Sequence, residues 1–396
     1  MSDDQSMLDD ATSPTRLPAC VVSFLRRHRR PVVALTLVLI GAVVAVALGF
    51  SSRAHSTEWV RQNLPVAPMT FGAPEISCAT KSACVADVSV SYDLLTSSGD
   101  WAVTGLQQTT DSPIDDLCVG SSCYAISESG RTVRITPAPH GSPRIDELMR
   151  ARARPIGLTD LACSGEGNAC LMLTQSGSSS TVGRTSMRVW RGTIAPGRNL
   201  RATFRVVATL RARSAADLPS ALSCPTTRVC FGIAEALWRT RDGGRTWSAG
   251  APLAETPTAL FCVSASVCAV GTNAGAVDFT SDAGRTWVGG SPYGTRTCRS
   301  CAPTSWISGV YCDGSAMHCL ALVAPHGIDG PSGGVFETSD RGRTWRQMTT
   351  PGAPVLLSLA CTQRGSCWAG GVEGSEHLAV LLHLRGALSR HGAHGP

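Results

Sequence analysis

The chain has 396 residues, a formal net charge of +6 and only 16% charged residues, against about 25% in ordinary soluble proteins, which excludes a disordered, solvating polymer. Hydrophobic residues make up 43% but aromatic residues only 5%, and 40 glycines and 23 prolines punctuate the sequence, so short strands joined by tight turns are indicated rather than long packed helices. Seventeen cysteines with a repeating spacing argue for an oxidising compartment and against a cytosolic enzyme.

Residues 1–30 read as a cytoplasmic tail, mostly disordered, in which Cys20 is an ordinary thiol. Pro31 to Phe50 follows without a charge, and at about 1.5 Å rise per residue it spans roughly the 30 Å core of a bilayer. Arg26, Arg27, Arg29 and Arg30 stand just before it, whereas only Arg53 and Arg61 follow closely. The positive-inside rule then predicts a signal-anchor helix, a cytoplasmic N-terminus and an extracytoplasmic remainder, a single-pass protein of the cell membrane. A cleaved signal peptide and a twin-arginine export signal are the rival readings. The first needs a shorter apolar run and a small-residue cleavage site, and the second a weaker apolar run.

Residues 51–63 read as a linker and 64–385 as the folded part. Fourteen of the remaining cysteines form close pairs: Cys78/Cys84, Cys118/Cys123, Cys163/Cys170, Cys224/Cys230, Cys262/Cys268, Cys312/Cys319 and Cys361/Cys367. Their spacing, roughly 45 residues from pair to pair, is that of propeller blades of four strands each, and seven pairs predict seven blades. In each unit the expected disulfide joins the end of the first strand to the start of the second. By the loop-entropy estimate such a seven-residue ring stabilises by roughly 2.4 kcal/mol. Zinc ligation would need tighter spacing and two pairs meeting at one metal, so no metal and no cofactor are expected.

Between the pairs the text recurs. Thr240-Arg-Asp242-Gly-Gly244-Arg-Thr246-Trp247, Thr280-Ser-Asp282-Ala-Gly284-Arg-Thr286-Trp287 and Thr338-Ser-Asp340-Arg-Gly342-Arg-Thr344-Trp345 fit one pattern. They resemble the Asp-box, or bacterial neuraminidase repeat, of β-propellers. In repeat style the chain is closest to non-enzymatic members of the sortilin-receptor and photosystem-assembly-factor kind. The resemblance implies an all-β, seven-bladed propeller over most of residues 60 to 385. It also implies that Asp242, Asp282 and Asp340 form turns rather than catalyse. The expected device is a hairpin turn in which Asp and Thr oxygens accept turn amides, Gly supplies a positive φ and Trp packs between blades.

The seventh unit, Leu356 to His383, offers three strands before the polar tail 386–396, so a strand from the N-terminal side must complete it. Leu64 to Phe71 is the expected source.

Two departures from the repeat are candidate sites. Arg184 to Arg213 is rich in arginine and lacks acidic residues. Strict alternation puts Ala202, Phe204, Val206, Ala208 and Leu210 on one face. Arg201, Thr203, Arg205, Thr209, Arg211 and Arg213 fall on the other, with Val207 as the apolar exception there. Arg201, Arg205 and Arg211 are thus the candidate ligand-binding residues for an anionic polymer or protein, guanidinium against carboxylate or phosphate. The alternative is a solvated edge strand protected by its charge. Cys298-Arg-Ser-Cys301 is the second departure, read as a local structural disulfide.

A sialidase-like exoglycosidase is the alternative function. It would need three arginines on the substrate carboxylate, an acid/base Asp and a Tyr activated by a Glu. The only tyrosines are Tyr92, Tyr124, Tyr293 and Tyr311, none with a Glu partner evident in sequence. Arg134-Ile-Thr-Pro137 departs from the arginine motif that precedes the repeats in sialidases. The expected function is a membrane-anchored binding or scaffold module for an envelope protein or anionic glycan, with no nucleic-acid partner.

Overall fold

The computed structural model describes residues 57–64, 75–80, 83–88, 91–95, 101–107, 113–119, 122–127, 132–136, 144–149, 158–164, 169–176, 185–194, 203–293, 305–326, 333–362, 365–374 and 378–385. The first strand among the described residues is β1 (Glu58–Arg61). Then β2 (Glu75–Thr80), β3 (Ala83–Val88), β4 (Ser91–Leu95) and β5 (Trp101–Gln107) form one antiparallel sheet. The next sheet is β6 (Pro113–Val119), β7 (Ser122–Ser127), β8 (Thr132–Thr136) and β9 (Arg144–Met149). It is followed by β10 (Leu158–Cys163), β11 (Cys170–Ser176), β12 (Thr185–Thr193) and β13 (Thr203–Ala212). A fourth sheet has β14 (Ala221–Ser223), β15 (Cys230–Ile233), β16 (Ala236–Thr240) and β17 (Ser248–Pro252). A fifth has β18 (Pro257–Cys262), β19 (Cys268–Thr272), β20 (Val277–Thr280) and β21 (Val288–Gly290). A sixth has β22 (Ser305–Cys312), β23 (Cys319–Pro325), β24 (Gly334–Thr338) and β25 (Arg346–Met348). The last contains β26 (Val355–Cys361), β27 (Cys367–Glu373) and β28 (Leu378–Arg385), with β1 laid beside β28.

Each sheet is thus a four-stranded meander except the last, a three-stranded meander completed by β1, and the first strands of successive sheets touch in a closed ring, β2, β6, β10, β14, β18, β22, β26 and back to β2. That ring is the arrangement of propeller blades about an axis. The core lies between blades: Phe279 and Ala321 share one cluster, and Leu171 and Leu222 another, each cluster drawing on two neighbouring sheets.

The ring closes through β1, antiparallel to β28 with Trp59 opposite Leu384, and Gln62 N–H continues the ladder to Leu381 C=O at 2.8 Å. Closure therefore falls at Glu58–Arg61, inside the stretch read as a linker, and not at Leu64–Phe71. Two physical reasons are visible in the sequence. Pro65 and Pro68 cannot donate to a ladder, whereas Trp59 is buried to 2% exposure and anchors β1.

Among the described residues there is no α-helix, only a 3-10 turn at Ala215–Asp217, and no helix long and apolar enough to cross a membrane. The expected arrangement set a transmembrane signal-anchor helix at Pro31–Phe50 ahead of the strands and held the chain at the cell membrane. It is corrected to an all-β fold with no such span in its described part; residues 1–56 lie outside the described residues.

Disulfides link Cys78–Cys84, Cys118–Cys123, Cys163–Cys170, Cys224–Cys230, Cys262–Cys268, Cys312–Cys319 and Cys361–Cys367, with Cα atoms 4.0–4.1 Å apart. Each staples the first strand of a sheet to the second, and in β18–β19, for example, Cys262 and Cys268 are direct ladder partners. Cys298 and Cys301 lie outside the described residues.

Candidate functional site

The three recurrent turns connect the third and fourth strands of consecutive sheets. In the first, Thr240 Oγ1 donates to Asp242 Oδ1 and accepts from Gly244 N–H, both at 2.9 Å. Asp242 Oδ1 also accepts from Arg245 N–H at 3.0 Å and Thr246 N–H at 2.9 Å, and Oδ2 accepts the Thr246 hydroxyl at 2.7 Å. Asp282 repeats the set with Thr280, Arg285 and Thr286, and Asp340 binds Thr338 and Thr344 in the same way. Four local hydrogen bonds to each of the Asp242 and Asp282 carboxylates, and three to that of Asp340, leave them little capacity for a substrate.

Electrostatics follow the geometry. Burial pushes the Asp242 carboxyl up but is outweighed by the Thr246 hydroxyl and amide bonds, so it settles at about 2. Bonds from the Thr286 hydroxyl and amide bring Asp282 to about 2 as well. Asp340 is likewise lowered, burial again opposing the Thr344 bonds. All three are held ionised.

The glycines and tryptophans of these turns face the preceding blade. Gly342 has φ 77°, and a methyl group there would strike the Phe279 ring. Gly244 sits against Leu171 and Val189, and Gly284 against Leu237. Trp247, Trp287 and Trp345 pack on the corresponding inter-blade clusters.

The candidate arginines are not brought together on one face. Arg201 lies outside the described residues. In β13, Arg205 pairs with Arg191 and Arg211 with Ser186, so six steps along β13 match five along β12. The extra residue is Val207, at a β-bulge between the pairs Val189–Ala208 and Trp190–Val206. A bulge inverts the alternation beyond it, so Arg205 and Arg211 fall on opposite faces of the sheet. For the same reason Val206, assigned to the packed face, is 44% exposed, and Val207 joins Ala208, Leu210 and Ala212 against the next blade. Alternation read from sequence has no means of registering the bulge.

Arg205, Arg211, Arg213 and Arg188 are exposed. Arg191 is engaged instead across the blade boundary, where it reaches Asp242 C=O at 3.5 Å and Thr227 C=O at 3.4 Å. Arg239 makes the equivalent crossing one blade further on, donating to Ala265 C=O at 2.8 Å with its guanidinium over the Phe231 ring.

The sialidase constituents are also scattered. Tyr124 is 1% exposed and Tyr311 8%. Burial pushes both phenols up, Tyr311 to about 12 with help from Asp313. Tyr293 packs edge-on against Phe336 at 5.0 Å and is raised by burial too. A nucleophilic tyrosine needs the opposite shift. Arg134 is ion-paired with Asp146, its ladder partner between β8 and β9. The Tyr92 side chain is outside the description. No group of His, Cys, Asp or Glu able to hold a metal occurs among the described residues.

No protein-family profile matches the chain, and no curated protein matches it. Solved structures do. YCF48 bound to D1 peptide is similar at 12% identity and a TM-score of 0.57, over 83% of this chain and 97% of that one. YCF48 from Cyanidioschyzon merolae is similar at 14% identity and a TM-score of 0.52, over 83% and 98%. A chain of the mitotic checkpoint complex is similar at 10% identity and a TM-score of 0.54, over 83% and 95%. At such identities the likeness is one of fold, and both its own strand order and these neighbours make the chain a β-propeller.

Proposed function

We propose that the chain is a non-enzymatic scaffold, an Asp-box propeller that offers a rigid β surface to a protein partner. The observation carrying this reading is that the carboxylates of Asp242, Asp282 and Asp340 are each taken up by hydrogen bonds of their own turn, as turn-formers of an Asp-box are. The described tyrosines, held protonated by burial, supply no activated nucleophile. Solved propellers of this shape include one bound to a peptide and one within a multiprotein complex, which favours a protein over a glycan as partner.

The test is turnover of a fluorogenic sialoside and a panel of aryl glycosides by the full, oxidised chain. No turnover is expected. Turnover abolished by Tyr311→Phe or Tyr92→Phe would overturn the scaffold reading in favour of an exoglycosidase.

A further inference from the structure

We infer that the free edge of β13 is a docking site for an acidic peptide in extended conformation, added as a fifth strand to the sheet β10–β13. The inference rests on the scaffold reading and names the partner's chemistry. Among the outer strands of the seven sheets, β13 is the longest, with 10 residues, where β17 has 5 and β21 and β25 have 3 each. It ends the order β10-β11-β12-β13, so the backbone groups along its outer side have no strand partner among the described residues. Such an edge pairs with any compatible extended chain unless something blocks it.

The side chains beside this edge select by charge. Arg205 stands on one face of the sheet and Arg211 on the other, the consequence of the bulge at Val207. Arg188 lies beside Thr209, and Arg213 follows just beyond the strand; all four arginines are exposed, and among the described residues none of them is ion-paired. An added strand projects alternate side chains to opposite faces, so carboxylates on both of its faces meet a guanidinium. Val206, 44% exposed, offers an apolar contact on the same edge. A second copy of this chain is disfavoured as the occupant, because pairing two β13 edges would set arginine against arginine.

The probe is a fluorescein-labelled decapeptide of glutamate, valine and threonine, titrated with the full oxidised chain and read by anisotropy. Binding is expected, weakening as salt is raised, with slowed amide exchange over residues 203–212. Arg205→Glu and Arg211→Glu should each weaken it by about tenfold. The double variant should instead bind the lysine analogue of the peptide, which also shows that the variant is folded. A peptide of the same charge with alternate amides N-methylated should not bind, because it cannot complete a ladder. Failure of the acidic peptide to bind overturns the inference. Binding untouched by charge reversal or by N-methylation also overturns it but leaves the scaffold reading standing, since the propeller would then hold a peptide elsewhere; that reading fails only on glycoside turnover.

Discussion

The Tyr311 hydroxyl donates to the Thr362 carbonyl at 2.9 Å, from the first strand of one blade into the hairpin of the next. Tyr311 immediately precedes Cys312, and the residue before the first cysteine makes a forward contact in other blades too. Ser77 Oγ accepts from Cys118 N–H at 2.9 Å, Ser223 Oγ accepts from Cys262 N–H at 3.0 Å, and the Phe261 ring lies 4.7 Å from that of Tyr311. Blade-to-blade order is thus carried beside each disulfide. Tyr311→Phe keeps the ring packing but removes one of the two hydrogen bonds that the Thr362 carbonyl accepts, the Gly365 N–H at 2.9 Å remaining. It should lower the unfolding free energy by about 0.5–1.5 kcal/mol in urea titrations under oxidising conditions. An unchanged midpoint would remove this contact from the account.

Gly342 and Gly374 share a positive φ, 77° and 70°, but differ in surroundings. A Cβ at Gly342 meets Phe279 of the preceding blade, whereas at Gly374 nothing lies within 4 Å. Gly342→Ala should therefore cost about 2–4 kcal/mol, backbone strain plus overpacking, and Gly374→Ala only about 1 kcal/mol. Thermal melts of the two variants side by side check the difference.

Acid should loosen the recurrent turns in a defined window. The folded-state values of Asp242 and Asp282, about 2, lie below the ordinary carboxyl value of 3.8, so the unfolded chain takes up protons first as pH falls. Their stabilising contribution is complete above about pH 4 and is lost as pH drops toward 2. Replacing both by Asn should flatten that acid limb of a stability-versus-pH curve. A limb of unchanged steepness would place the acid sensitivity elsewhere.

His383 adds a second, milder dependence at the closing blade. Its ring stacks on Trp368 at 4.5 Å, and Nε2 lies 3.1 Å from Ser366 Oγ. Burial, and then the charge of Arg385, push its pKa below the ordinary value of 6.5. A depressed folded value means that stability is complete above about pH 6.5 and declines as pH falls through the folded value. His383→Gln should remove the decline between pH 7 and 5, as followed by denaturant midpoint.

Ring closure should be most sensitive at Trp59. Its side chain packs among Leu356, Val380 and Leu382 of the last sheet, and Trp59→Ala should cost about 3–5 kcal/mol. Replacing Glu58, exposed in the same strand, by Ala should cost less than about 1 kcal/mol. Equal effects in calorimetry would remove Trp59 as the anchor of closure.

What could be read from the residues alone was whatever depends on short stretches of chain. The cysteine pairs lie 5 to 7 residues apart and mark the hairpin between the first two strands of each sheet. The Thr-x-Asp-x-Gly-x-Thr-Trp text encodes its own hydrogen bonds within five residues, so Asp242, Asp282 and Asp340 were legible as turn-formers. Tertiary structure decided the rest, because the forces involved join distant residues. Glu58–Arg61 was chosen as the closing strand over Leu64–Phe71 by a partner more than 300 residues away in sequence. The single extra residue at Val207 separated Arg205 from Arg211, and that bulge arises from the pairing of β12 with β13 rather than from the composition of either strand. Period-two alternation locates a strand; only the register of its neighbour decides which side chains share a face.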